Sequence, residues 1–385
     1  MTQILGYSSE WLVERNGFHT ANEIAHQPRL WQEIAQTISS KNNEIDAFLA
    51  PIFAKQDLRV ILTGAGTSAF AGDAVAPYLN EKANFSVEAI ATTEIVANPE
   101  KTLNAKQPTL VVSFARSGNS PESTAAVAIA NQVVEECYHL ILTCNPEGEL
   151  AQYANTVSNA YSLLMPEGSN DKSFAMTSSF SCMTLSALAL IGQVASDELV
   201  ATSQEIATLC TAKLEQWQPL IKQLAAMDYE RLIVLGSGGF AGLAKEASLK
   251  SLELSAGKVM TAFDSSLGFR HGPKFTINDK ALVIQFISSK AYTRQYDLDL
   301  FNELNRDGLA AKVIGLSETP EENLSLLEVG EVTGDEIWLS FPYILFAQML
   351  SFEKSLALGF GPDNPCPSGE VNRVVQGVTI YSYNK

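Results

Sequence analysis

One stretch of this chain is present twice. Arg59-Val-Ile-Leu-Thr-Gly-Ala-Gly66 returns as Arg231-Leu-Ile-Val-Leu-Gly-Ser-Gly238, 172 residues later. Leu110-Val-Val-Ser-Phe114 returns as Leu282-Val-Ile-Gln-Phe286 at the same offset, and Leu140-Ile-Leu-Thr143 has a counterpart in Val313-Ile-Gly-Leu316 at nearly that offset. Three matches in one register make two copies of a unit of about 170 residues. Runs that are apolar on both faces and alternate with helical stretches suit parallel strands covered by helices, so the fold class is α/β. The expected strands are 58–63, 86–91, 109–114, 140–144 and 156–158, then 231–235, 258–262, 281–287, 312–316 and 336–339. Long helices are expected near 67–81, 121–136 and 176–195, then near 240–256, 292–307 and 342–358.

Around the copies lie two short pieces. Thr20-Ala-Asn-Glu23 has capping-box spacing ahead of Ile24–Ile38, with Pro28 interrupting. The segment 359–369 is too rich in Gly and Pro for regular structure, and a tail follows it. The expected division is a helical segment 1–44, a first domain 45–215, a second domain 216–365 and a tail 366–385.

Charge narrows the ligand. Lys and Arg total 26 against 43 Asp and Glu, a formal charge of −17. Such a surface argues against nucleic acid and against anionic membrane surfaces. Any anion must be held at short range by hydroxyls, backbone N–H groups or a few cations. The five cysteines are scattered without a C-x-x-C pair, which fits reduced thiols in a cytoplasmic protein. No signal peptide or spanning segment is expected.

Both glycine turns read G-x-G-x-x-A, at Gly64–Ala69 and Gly236–Ala241. The pattern is compatible with dinucleotide binding, but the acidic residue expected about 20 positions on has no good candidate, since Glu81 falls in or after the first helix. The turn after Phe114 is more specific. Ser120 and Pro121 suit a helix start, yet Arg116, Ser117, Gly118 and Asn119 crowd the same turn. Unpaired amides at a helix N-terminus among serine hydroxyls make a phosphate site of little net charge. Thr67 and Ser68 of the neighbouring turn join them at the strand ends where open α/β sheets bind ligands. No Walker motif is present, and no histidine pair has metal-ligand spacing, so no metal and no cofactor are expected.

These residues resemble the tandem sugar isomerase (SIS) proteins: the Gly64–Ser68 turn, the Ser117–Ser120 turn and the duplicated sheet. The likeness covers about residues 45–365 and implies two tandem flavodoxin-like SIS domains, each a parallel sheet with helices on both faces, binding a phosphosugar. It also implies a homodimer or homotetramer. Glu246, Lys250 and Glu253 share one face of a helix, as a solvated salt-bridge ladder would. The resemblance instead gives Lys250-Ser-Leu-Glu253 the place of the catalytic Lys-x-x-Glu, with His271 of Gly268-Phe-Arg-His-Gly-Pro273 assisting ring opening, supplied by a neighbouring subunit. Matching the tail puts Gln376 where the related synthase has a lysine, with Arg373 the nearest cation.

The tail, Asp363–Gly369 and Ser113–Ser120 are similar to the galactosamine-6-phosphate deaminase/isomerase branch, also called tagatose-6-phosphate ketose/aldose isomerase. That likeness implies conversion of galactosamine 6-phosphate to tagatose 6-phosphate plus ammonia. Plain aldose–ketose isomerisation and a sugar-phosphate sensor without catalysis remain alternatives.

Overall fold

The computed structural model describes residues 3–375 and 377–384. A small hairpin, β1 (Gln3–Ile4) and β2 (Tyr7–Ser8), opens the chain. Two parallel five-stranded sheets follow, one per sequence copy, each with helices packed around it. The first holds β3 (Arg59–Thr63), β4 (Ser86–Ala89), β5 (Thr109–Ala115), β6 (Cys137–Thr143) and β7 (Ala160–Leu164) in the order β4-β3-β5-β6-β7. The second holds β8 (Arg231–Gly236), β9 (Met260–Asp264), β10 (Ala281–Phe286), β11 (Lys312–Ser317) and β12 (Leu326–Glu328) in the order β12-β11-β10-β8-β9. Counted within each copy, both orders are 2-1-3-4-5, the flavodoxin-like arrangement, with its switch point between the first and third strands. The duplicated sequence has folded twice into one topology.

The chain divides into two compact units. One gathers Met1–Pro28, Lys172–Thr177 and Gln204–Gly369; the other gathers Arg29–Asp171, Ser178–Ser203 and Glu370–Lys385. The first sheet and the tail therefore share a unit, and the second sheet carries the N-terminal hairpin and the helix Phe18–Ala25.

Central strands are buried along their whole length: every residue of β3, β5 and β10 is buried. This is why they read as unbroken apolar runs. Where β3 carries a charge, it is neutralised locally, since Arg59 gives a two-pronged pair of 2.9 Å hydrogen bonds to Glu88 on β4. The glycine turns are forced by close approach. A Cβ on Gly64 would lie 2.5 Å from the Ser68 Cβ, and one on Gly236 would lie 2.6 Å from the Phe240 carbonyl oxygen. Gly66 and Gly238 then take almost the same left-handed conformation, φ 57° and 59°, which L side chains rarely adopt.

Three expectations differ from the fold. The fifth strands are 160–164 and 326–328, not 156–158 and 336–339. Both true strands are half-exposed edge strands, so they lack a continuous apolar run. Glu336–Leu339 is instead a buried 3-10 turn capped by Asp335, whose carboxylate accepts from the Ile337 amide at 3.2 Å. Thr20 lies inside the helix Phe18–Ala25, because Asp363 takes the capping role, accepting from the amides of His19 at 3.0 Å and Thr20 at 2.7 Å. All five cysteines are free thiols, and no helix among the described residues is long and apolar enough to cross a membrane.

Gly64→Ala and Gly236→Ala should each destabilise the chain by about 1–3 kcal/mol, the usual cost of overpacking a tight contact. Equilibrium urea unfolding checks this, and an unchanged midpoint would contradict the close-approach account.

Candidate active site

The first sheet places two turns side by side. β3 and β5 are hydrogen-bonded neighbours with Thr63 opposite Ser113, so the chains leaving them emerge at the same sheet end. After β3, Thr67 and Ser68 open the helix Thr67–Lys82 and are nearly buried. After β5, Arg116 to Ser120 lead into the helix Pro121–Val133. Gly118 takes φ 68° there and lies against Gly148, whose Cα would be 3.3 Å from an added Cβ.

Each side chain of the second turn has its own placement. The Ser117 hydroxyl accepts from the Asn119 amide at 3.3 Å, and the Ser117 carbonyl accepts from Asn145 at 2.9 Å. The Asn119 carboxamide oxygen accepts from the Glu149 amide at 2.8 Å, so it closes the start of the helix Glu149–Ala154. Ser120 stands at the helix N-cap, but its hydroxyl donates to Ser123 at 2.6 Å instead of accepting from a helix amide. Pro121 has no N–H and the Ser123 amide donates to the Ser120 carbonyl at 3.0 Å, so the Glu122 amide is the first-turn donor with no acceptor among the described residues. No described carboxylate accepts from the Ser117–Ser120 turn.

Arg116 is buried and donates to the Arg373 carbonyl at 2.7 Å. Arg373 in turn donates through Nε to the Asp171 carbonyl at 2.9 Å and through an Nη to Asn170 at 3.2 Å. Asp171 uses its carboxylate to cap the helix Ser178–Ile191, accepting from the amides of Ser178 at 3.0 Å and Ser179 at 2.9 Å. The tail is thus clasped beside the hydroxyl turn. Sequence reasoning noticed Arg373 only as a nearby cation. Asn170 and Asp171 carried no signal, because their role rests on a carbonyl and on a long-range cap. Gln376 lies outside the described residues.

The second sheet carries the titratable face. On the helix Gly239–Leu254, Lys250 has no solvent exposure and lies 2.6 Å from Glu253 and 3.3 Å from Glu246. Glu246 is fully buried, while the Glu253 side chain is 23% exposed. This is not a solvated ladder. Burial pulls the Lys250 ammonium down from its ordinary pKa, and the two carboxylates outweigh burial and raise it. One cation between two carboxylates leaves a local excess of one negative charge, and Glu253 is the member that reaches solvent. Spacing places Glu246 on the shared helix face but does not reveal its burial.

His271 sits on the exposed loop after the short helix Ser266–Phe269, with its amide donating to the Gly268 carbonyl at 2.9 Å. The neighbouring Arg270 does not point toward a ligand role, because it pairs with Glu303 at 2.9 Å. Lys274 also pairs with Glu303, and with Asp307 at 2.5 Å. These ion pairs pin the loop at both flanks of His271. No hydrogen bond or ion pair joins His271 to Glu253 among the described residues. Nor do these residues contain a His, Cys, Asp and Glu cluster fit to hold a metal.

Comparison with known proteins adds identity to this geometry. Residues 52–192 match the SIS domain family. The D-galactosamine-6-phosphate deaminase AgaS of Shewanella sp. strain ANA-3 is 45% identical over 381 residues, covering 98% of this chain and 95% of that one. The crystal structure of a tagatose-6-phosphate ketose/aldose isomerase from Escherichia coli superposes with a TM-score of 0.90 at 41% identity, over 96% of this chain and 98% of that one. That of a candidate enzyme of the same description from Clostridium novyi NT reaches a TM-score of 0.97 at 44% identity over the whole of both chains.

Lys250→Met should cost about 3–5 kcal/mol, since it strands a buried carboxylate. The folded pKa of Lys250 is raised above 10.5, so its stabilisation is fully present below that value and is lost as pH rises through the folded pKa. The stability gap between wild type and Lys250→Met should therefore shrink at strongly alkaline pH. Urea unfolding at neutral and alkaline pH checks both sign and window; a gap that widens would contradict the pairing.

Proposed function

This chain belongs to the SIS domain family and, within it, to the family of the D-galactosamine-6-phosphate deaminases, and from that premise we propose that it converts galactosamine 6-phosphate and water to tagatose 6-phosphate and ammonia. One observation carries the reading: the likeness to a named deaminase runs through both the hydroxyl turn and the acid–base helix, over 98% of the chain.

In this reading the phosphate dianion is bound by Thr67, Ser68, Ser117 and Ser120 together with the Glu122 amide at the start of the helix Pro121–Val133. Asn119 shapes the turn. Arg116 supplies nearby positive charge, and Gln376 is assigned to the sugar from its place in the tail sequence alone. His271 moves a proton from the anomeric hydroxyl to the ring oxygen, opening the ring to the 2-amino aldehyde. Imidazole suits a step that needs both an acid and a base near neutral pH. Glu253 then removes the C2 proton, the electron pair forms the C1–C2 double bond of an enolamine, and the C1 carbonyl oxygen takes up a proton. Return of a proton to C1 gives the C2 imine. Water adds at C2 and ammonia leaves, so nitrogen is released without any change of redox state in the protein. Lys250 holds the Glu253 carboxylate in place and Glu246 balances the lysine's charge.

The overall reaction is then a hydrolysis of a carbon–nitrogen bond built on an isomerase step. The alternative is the isomerase step alone on a neutral hexose phosphate, which the relative from Escherichia coli favours by its name. The two share Glu253 and differ only in whether nitrogen is lost. A cytoplasmic homo-oligomer fits the reading. His271 lies on a protruding loop where Phe275 is 95% exposed, an arrangement suited to insertion into a neighbouring subunit.

The purified chain should release ammonia from galactosamine 6-phosphate and do so less efficiently from glucosamine 6-phosphate. Turnover of a neutral hexose phosphate with no ammonia would select the alternative. Glu253→Gln should lower kcat by about 10²–10⁴-fold, the range of a positioned general base. Ser120→Ala should act mainly on KM, by about tenfold for one hydrogen bond to a charged group. A Glu253→Gln enzyme with wild-type kcat would remove the assignment.

A further inference from the structure

The two copies share a fold, yet the crevice at the switch point is treated differently in each. In the first, the turn after β5 has hydroxyls and amides that no described carboxylate accepts from. At the same place in the second, 172 residues on, Ser288, Ser289 and Lys290 stand where Arg116, Ser117 and Gly118 stand in the first. There one carboxylate oxygen of Glu336 accepts from the Ser289 amide at 2.9 Å, the Lys290 amide at 3.3 Å and the Ser288 hydroxyl at 2.5 Å. Two successive amides and a hydroxyl converging on one anionic oxygen is the geometry a phosphate oxygen would meet at such a turn.

The rest of this crevice is also filled from within. Asp297, fully buried on the helix Ala291–Asp307, accepts from the Ser288 amide at 2.9 Å. Its other oxygen accepts from Ser237 of the glycine turn at 2.6 Å and from Ser266 after β9 at 2.5 Å. Gln285 on β10 donates to the Asp297 carbonyl at 2.8 Å. Where the first copy has Ser68, the second has Phe240, buried against Tyr343 with ring centroids 5.1 Å apart. The Tyr343 ring stacks on Phe286, and its hydroxyl donates to the Ile287 carbonyl at 2.8 Å.

We propose that the second copy retains an anion cradle which Glu336 occupies in place of a phosphate, so that each chain binds one phosphosugar and removal of that carboxylate uncovers a second anion site. The turn needs an anion to satisfy its amides, and the chain supplies one from the 3-10 segment Glu336–Leu339. The copy relieved of binding is the one whose helix bears Glu246, Lys250 and Glu253. The proposal shares with the functional reading only the premise that the first turn takes phosphate.

The test follows the melting of the intact chain as inorganic phosphate is added, with sodium chloride at matched ionic strength as control. It compares wild type, E336A, E336Q and the pairings of E336A and E336Q with S120A. E336A should melt about 3–8 °C below wild type, as expected for amides and a hydroxyl deprived of a charged acceptor. Phosphate should then raise its midpoint by more than it raises that of wild type, and this extra gain should persist in E336A/S120A, because Ser120 belongs to the other crevice. E336Q keeps an acceptor oxygen without the charge and should fall between the two; it and E336Q/S120A carry the measurement if E336A does not fold. Equilibrium dialysis of wild type should find one phosphate per chain. The proposal is overturned if phosphate helps the variant no more than wild type, if chloride does as well, or if wild type binds two. A wild-type phosphate response unaffected by S120A would count against the hydroxyl turn of the first copy, not against the sealed crevice.

Discussion

A parallel strand that turns sharply into a helix leaves backbone N–H groups with no partner in the chain's regular structure, and each must find an acceptor. The turns after β5 and β10 meet this demand beside the glycine turns after β3 and β8, which Gly64 and Gly236 hold tight, within 2.5 and 2.6 Å of where a side chain would begin. Two solutions exist. One leaves the donors facing outward for a ligand; the other sends a carboxylate into them. The first copy has Ser117 to Ser120 with no described carboxylate accepting from them, and the second has Asp297 and Glu336 seated on Ser288, Ser289 and Lys290. One copy keeps its donor set outward and the other closes it.

Closure of the second crevice has a counterpart on the helix that follows its glycine turn. That helix buries a lysine and a glutamate without any solvent contact, an arrangement which stability alone does not favour, because apolar side chains of similar volume generally serve as well or better. Glu246 and Glu253 together outweigh the desolvation of Lys250 and keep it charged. The result is a carboxylate at the solvent edge held by a cation that cannot move away. A feature costly to burial and fixed in geometry is what a positioned acid–base group requires.

How much of this could be read from the chain itself follows the range of the interactions. The repeat, the glycine turns and the central strands were legible, because complete burial writes a continuous apolar run and close approach writes a glycine. Edge strands were not: Ala160–Leu164 and Leu326–Glu328 are half exposed, while Glu336-Ile-Trp-Leu339 mimics a strand by being apolar and buried in a 3-10 turn. The same segment hid Glu336, whose partners lie more than 40 residues away. Thr20 read as a cap because the spacing was right, but the capping carboxylate comes from Asp363, 343 residues on. Arg116 was legible as a charge in the turn; its link to Arg373 was not, since the acceptor is a backbone carbonyl.

That last detail bears on how a chain of net charge −17 attracts a dianion. At physiological ionic strength charges are screened over about 8 Å, so the many distant carboxylates matter less than the few groups at the turn. Arg116 donates to the Arg373 carbonyl, and Arg373 to the Asp171 carbonyl and the Asn170 carboxamide. The Asp171 carboxylate accepts from the amides of Ser178 and Ser179. Two guanidinium groups held beside the hydroxyl turn by the tail therefore bear on a dianion more than the distant surface carboxylates do.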